Sequence, residues 1–154
     1  KIRSFNYNYH LRNIPYGVRL YKMQITGDDM CTQCNSAKET LRHLYWECEI
    51  SKRLWERLKK FLQNYFNFDL VLTAKCVLTG LGNEGCLPVN IYFCMILCRQ
   101  YIHTCKCLKK YPTEVGLIKH IRSIEVLERN IAASKNKLAV HLKKWQKLCT
   151  DTNE

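Results

Sequence analysis

Between Leu11 and Met23 the apolar residues Leu11, Ile14, Val18 and Tyr21 recur every three or four positions, the period of one helix face. Arg12, Arg19 and Lys22 fall on the other faces. Pro15 suits a first helical turn better than an interior, so the pattern predicts a helix opening near Pro15. Thr26-Gly27-Asp28-Asp29 breaks it, and a cysteine-bearing loop follows. Glu39 to Cys48 reads as a short helix. From Ile50 to about Phe66 the pattern is stronger. Ile50, Leu54, Trp55, Leu58, Phe61, Leu62 and Tyr65 line one side, and Lys52, Arg53, Glu56, Arg57, Lys59 and Lys60 the other. Residues 1–10, with Phe5, Tyr7 and Tyr9, show no helical period and read as a connector.

Beyond residue 66, Asp69 is placed to cap a short helix reaching about Leu78. Gly80 and Gly82 end it, and Asn83-Glu84-Gly85 reads as loop. The longest apolar helix spans about Val89 to Lys110 and stops before Pro112. Thr113 is placed to cap a helix over 114–132, with Val115, Ile118, Ile121, Ile124, Leu127 and Ile131 at helical spacing. A last amphipathic stretch covers about Ser134 to Leu148. No period-2 run, internal repeat or low-complexity tract occurs. The expected fold is all-α, a small helical domain with one zinc loop between helices and no substantial sheet. Two units are expected, a zinc-binding helical module over 1–66 and a basic helical bundle over 67–154.

The chain has 154 residues, 47% of them apolar, enough for a core without crosslinks. No stretch of about 18 apolar residues predicts a membrane span. The chain opens on Lys1 with no charged-then-apolar leader, which reads as a piece of a longer polypeptide. Charge separates the two halves. The net formal charge is +12, yet residues 1–50 carry seven basic and five acidic side chains, while residues 99–147 carry twelve and three. Such a balance points to a polyanionic partner, with RNA, DNA and an anionic membrane surface all open on charge alone.

Ten cysteines would suggest disulfides in a secreted chain. Long amphipathic helical runs, with only six Gly and three Pro, argue instead for a reducing compartment and free thiols. Four residues stand out at the spacing Cys31-x2-Cys34-x8-His43-x4-Cys48. Two thiolates turn inward from a C-x2-C loop, and a His and a Cys downstream complete four donors, the set that Zn2+ holds as a tetrahedron. With every ligand supplied by protein, the predicted zinc is structural and leaves no catalytic position. His43 and Cys48 stand five apart, so the chain must bend out of an α-helix for Cys48 to reach the metal.

The run Cys31-Thr32-Gln33-Cys34, Glu39-Thr40, His43, Cys48 and Leu54-Trp55 resembles the CCHC zinc-binding segment that follows the reverse transcriptase domain in LINE-type non-LTR retrotransposons. Asn13-Ile14-Pro15-Tyr16 with Arg19-Leu20 resembles the helix before those cysteines. Tyr101-Ile102, Lys109-Lys110-Tyr111-Pro112 and the tail Asn130-Ile131-Ala132, His141, Lys144-Trp145 are similar to the ends of such reading frames. The resemblance is specific over 13–60 and looser beyond 85. It implies a non-catalytic C-terminal domain of a polyprotein that nicks target DNA and reverse-transcribes its RNA from the nick. Such a domain grips template RNA, target DNA or both. The implied partners are nucleic acid and the upstream reverse transcriptase domain, with no membrane and no small-molecule substrate. The implied setting is intracellular, in a cytoplasmic ribonucleoprotein and the nucleus. Only Asp69 and Glu84 lie between residues 57 and 113, so the carboxylate set of a restriction-like endonuclease is not expected.

The candidate phosphate contacts are Arg12, Arg19 and Lys22 beside the zinc loop, and Lys106, Lys109, Lys110, Lys119, Arg122, Lys137, Lys143 and Lys144 in the basic half. Their plainer role is a solvated helix face. Cys94, Cys98 and Cys105 follow helical spacing and read as core, although nearby His103 and Cys107 allow a second metal site. Trp55 reads as core, Trp46 as packing near the zinc, and Trp145 as equally suited to core or to base stacking. The competing function is a module that docks protein domains without touching nucleic acid. An enzyme ranks third, since no nucleophile–base arrangement stands out.

Overall fold

The computed structural model describes residues 2–82 and 85–145. The order is α1 (Ile2–His10), α2 (Gly17–Lys22), a single π-helical turn (His43–Glu47), α3 (Glu49–Phe66), α4 (Ala74–Thr79), β1 (Leu81–Gly82), β2 (Gly85–Cys86), α5 (Val89–Cys107), α6 (Glu114–Ser134) and α7 (Leu138–Trp145). The domain is mostly helical. Its one sheet among the described residues is the two-residue hairpin β1–β2, in the register Leu81↔Cys86 and Gly82↔Gly85, within a stretch expected to be loop.

Residues 2–10 are helix, not connector. Ile2, Phe5 and Tyr9 are spaced three and four apart and face α5, while Tyr7 projects into solvent and disguises the period. Tyr9 is buried and meets the Tyr45 ring edge-on at 5.0 Å.

Asp69 is not the cap of α4. Asn67, in the left-handed conformation, ends α3, and Asp69 lies exposed in the following loop. Thr73 caps α4 instead, its hydroxyl accepting the Cys76 N–H at 3.1 Å. Gly80 ends α4 at φ +79, and a Cβ there would fall 2.1 Å from the Tyr92 ring. Thr113 caps α6 as its sequence predicts, accepting the Gly116 N–H at 3.0 Å.

α5 closes three residues short of Lys110. Lys109 turns left-handed, its N–H bonds the Lys106 carbonyl at 3.0 Å, and the Lys110 N–H bonds the Cys105 carbonyl at 2.8 Å. Lys109 and Lys110 therefore stand on a Schellman turn instead of a helix face. α7 begins at Leu138, and residues 146–148 of the expected last helix lie outside the described residues.

One apolar cluster runs through the domain. It joins Leu44, Trp55, Leu58 and Leu62 to Ile91, Met95, Leu97, Ile102, Leu117 and Ile121, drawing on both sides of residue 66. α3 packs on both α5 and α6. Cys94, Cys98 and Cys105 are buried in α5, as expected of small hydrophobes. Desolvation pushes the Cys94 thiol up to about 12 and the Cys98 thiol higher still, so both stay protonated. No helix among the described residues is long and apolar enough to cross a membrane.

Candidate metal centre

The donor atoms of Cys31, Cys34, His43 and Cys48 all lie within 4.8 Å of one another. A tetrahedron with Zn–S bonds of about 2.3 Å has edges of about 3.8 Å, so these positions surround one ion with only small movements. Three thiolates and an imidazole form a borderline-soft set suited to a single zinc ion. Cys31 and Cys48 are fully buried and His43 nearly so, with Cys34 half-exposed at the rim. Four protein donors fill the tetrahedron, which makes the site a structural one.

Local backbone geometry builds each half. Met30 bridges Lys38 in antiparallel fashion, and the Cys31 N–H bonds the Ala37 carbonyl at 2.8 Å, closing the loop. Inside it the Asn35 N–H returns to the Cys31 carbonyl at 2.8 Å, with Asn35 left-handed at φ +53, a conformation Asn tolerates. That tight turn aims both thiols of the C-x2-C pair inward. Ser36 Oγ donates to Cys34 Sγ at 3.0 Å, and His43 Nε2 stands 3.3 Å from the same sulfur.

The other half rests on the π turn. The Cys48 N–H bonds the His43 carbonyl five residues back at 2.8 Å, so one wide turn brings both ligands together. Cys48 itself is extended and forms the N-cap position of α3. The wide turn frees carbonyls that an α-helix would have bonded, and α3 recovers them. Ser51 Oγ donates to the Leu44 carbonyl and Trp55 Nε1 to the Tyr45 carbonyl, each at 2.6 Å. Trp55 is thus core, as expected, and it also ties α3 to the ligand turn. Trp46 is half-buried and packs against the main core.

Without metal the thiols share protons. A hydrogen bond from the Cys31 thiol pulls Cys48 well below the usual thiol range, helped by the Ser51 and Ile50 amides at the start of α3. Cys31 keeps its proton and is pushed up by that same bond and by burial. Zinc replaces those protons.

Glu39 holds this corner to the rest of the molecule. It is fully buried. Its Oε1 accepts the Gly17 N–H at 2.6 Å and lies 3.0 Å from Lys106 Nζ. Its Oε2 accepts the Thr32 N–H at 3.1 Å and the Thr32 hydroxyl at 3.0 Å. One carboxylate therefore joins α2, the residue after Cys31, and α5. No local pattern announces this role, because Lys106 lies far downstream in the sequence.

That pairing corrects one expected phosphate contact. The Lys106 side chain is 7% exposed and bound to Glu39, so it is not part of a phosphate-binding surface. Lys144 is also engaged internally. It donates to both Glu128 oxygens, at 3.0 and 2.8 Å, and lies 3.3 Å over the Phe93 ring. Trp145 is buried edge-on against Phe93 and donates to Glu128 at 3.0 Å, which makes it core. Arg19 donates to the Arg12 carbonyl and, at 2.9 Å, to Asn13 Oδ1, bracing the left-handed turn at Arg12. Arg12, Lys22, Lys109, Lys110, Lys119, Arg122, Lys137 and Lys143 are exposed.

The second metal site does not form. His103 Nε2 and Cys107 Sγ come within 3.5 Å, but among the described residues no group of three or more donors gathers except Cys31, Cys34, His43 and Cys48.

The geometry defines a closed Cys3His structural zinc site between α2 and α3. Residues 1–55 match the model of a family described as zinc-binding in reverse transcriptase. The match spans α1, α2, all four donors and the first part of α3, ending on Trp55.

Proposed function

We propose that this chain is the C-terminal nucleic-acid-binding domain of a LINE-type non-LTR retrotransposon reverse transcriptase, itself without catalytic residues. In this role it grips template RNA, target DNA or both during target-primed reverse transcription. The observation that carries the reading is the closed four-donor zinc site inside a segment matching a reverse-transcriptase zinc family, on a chain of net charge +12. The zinc supplies folding free energy and no chemistry, tying the loop that follows α2 to the turn that precedes α3. Arg12, Lys22, Lys109, Lys110, Lys119, Arg122 and Lys143 are the exposed cations assigned to phosphates. The partners are RNA or DNA and the upstream polymerase domain of the same polyprotein, in a cytoplasmic ribonucleoprotein and then the nucleus.

The test is binding of the zinc-loaded chain to labelled RNA and to nicked duplex DNA across a salt series. If all seven cations meet phosphates, the log–log slope is about −6 on B-DNA and about −5 on a single strand. Affinity that does not fall with salt sinks the reading. A second reading, a docking module, is favoured by one observation. Tyr21, Met23, Ile25 and Met30, leading into the zinc loop, are 50%, 57%, 62% and 37% exposed. Salt-independent capture of the upstream polymerase domain with no nucleic-acid binding is its signature.

A further inference from the structure

A solvent-open cleft of about 570 Å3 lies where the end of α1, the turn before α2, the entry to the π turn and the end of α4 meet. Its volume is within the range of about 300–1,000 Å3 typical of ligand sites. Tyr9 forms part of the lining, His10 and Tyr16 add two further rings, and Arg12 and Arg42 bring the cations. Among the described residues, no Asp or Glu lines it. Arg42 is itself ion-paired, its Nε donating to Glu47 Oε1 at 2.6 Å, an exposed pair that a phosphate would share or displace.

Behind Tyr9 stands a third cation. Arg99 is completely buried, its guanidinium carbon 4.7 Å from the centre of the Tyr9 ring and 5.8 Å from that of Tyr92. Among the described residues, none of its three guanidinium nitrogens meets a hydrogen-bond acceptor within bonding geometry. A buried guanidinium without a carboxylate partner is costly, and the faces of the Tyr9 and Tyr92 rings offset part of that cost.

Rings beside cations in a cleft of this size define a ligand of matching chemistry. Duplexes are recognised by protein elements that enter their grooves or span their outer surface. An unpaired base does the reverse, leaving the stack to enter a protein cleft and lie against a ring while its phosphate meets Arg or Lys. We infer that this cleft binds an unpaired nucleotide of a single-stranded polynucleotide, with Tyr16 as the stacking ring and Arg12 and Arg42 on the flanking phosphates. The inference rests on the nucleic-acid reading above and assigns it a strand state and a location away from the basic C-terminal helices.

Two structural features fix the cleft. Thr40 Oγ1 accepts the backbone N–H of the zinc ligand His43 at 2.9 Å, so the wall carrying Thr40 and Arg42 is built on the metal corner. On the opposite side, the Arg19 guanidinium braces the left-handed turn that presents Arg12.

The experiment measures anisotropy of the zinc-loaded full chain with labelled 12-mers of single-stranded RNA, single-stranded DNA and the matching duplex. The variants are Tyr16→Ala, Arg42→Ala and Arg12→Asn, the last chosen because Asn tolerates the left-handed backbone at that position. Zinc content and thermal melts establish that each variant is folded. Tyr16→Ala is expected to weaken single-strand binding about tenfold, within the range of base–aromatic stacking, and to leave duplex binding within twofold. Comparing the RNA and DNA strands shows which sugar the cleft takes. A 4-thiouridine strand should crosslink to peptides spanning residues 9–18 or 40–42. If folded variants bind single strands as tightly as the parent chain, or crosslinks fall only on α5–α7, the cleft assignment is overturned while nucleic-acid binding stands. If neither strand state is bound, both readings fall.

Discussion

Replacing Lys106 with Met leaves the Glu39 carboxylate buried with no counter-charge. Both side chains are inside the protein, at 7% and 0% exposure, and their atoms are 3.0 Å apart. Breaking a buried pair from one side costs about 3–5 kcal/mol, because the surviving charge stays desolvated. Glu39 would keep three hydrogen bonds, from the Gly17 N–H, the Thr32 N–H and the Thr32 hydroxyl. Those bonds place the expected loss near the lower end, about 3 kcal/mol. For a domain of this size that lowers Tm by roughly 6–12 °C. Glu39→Gln removes the charge while keeping the shape, and the double variant should recover much of the single losses, giving a coupling of at least about 1.5 kcal/mol. The assay is urea unfolding of the zinc-loaded protein, followed by the fluorescence of buried Trp55. A lower midpoint at unchanged slope reports stability alone. A Lys106→Met variant within about 0.5 kcal/mol of the parent chain would refute the claim that this pair secures α5 to the zinc corner.

The paired substitution Cys31→Ser and Cys34→Ser should abolish stoichiometric zinc and melt the corner that joins α2 to α3; atomic absorption that still finds one zinc per chain would contradict the ligand set. Gly17→Ala should destabilise the fold by about 1–3 kcal/mol, since its Cβ would sit 2.7 Å from the Glu39 Cβ, and an unchanged melting curve would mean that this contact relaxes freely. Burial lowers the imidazole pKa of His120, whose Nε2 is buried without a partner. The unfolded chain therefore binds that proton more readily, so stability should fall as pH drops below about 6.5. His120→Gln should reduce the slope between pH 6.5 and 5, the remainder including half-buried His103, whose imidazole pKa is lowered by burial in the same direction, and a slope equal to the parent's would show that His120 contributes nothing.

The metal site was readable from sequence because its information is local. C-x2-C fixes one turn, and a five-residue step fixes the other. The Thr113 cap and the apolar face of α3 were legible for the same reason. α1 was not, because exposed Tyr7 blurs a short face made of Ile2, Phe5 and Tyr9. The start of α4 went to Asp69, in general the better capping residue type, instead of Thr73, because only the exit of the chain from α3 at Asn67 shows that Asp69 lies too early to cap α4. Lys106 looked like any other lysine in a basic segment. Its partner is set by tertiary packing, as are the Glu128 contacts of Lys144 and Trp145. The unpartnered Arg99 left no trace in sequence, because a cation within an apolar helix is usually satisfied by something.

The π turn at His43–Glu47 behaves as a ruler. It spans five residues where an α-helical turn spans about four, and its two marks are both metal ligands. Side chains between the marks can change, as long as Leu44 and Tyr45 still fill the core. The count cannot. Loss of one residue would set the two ligands four apart, a spacing that an α-helical turn also offers to zinc, but it would rotate α3 by about 100° and carry Ser51 and Trp55 away from the Leu44 and Tyr45 carbonyls. Length in this segment is therefore held jointly by coordination and by the bonds that α3 makes back to the turn.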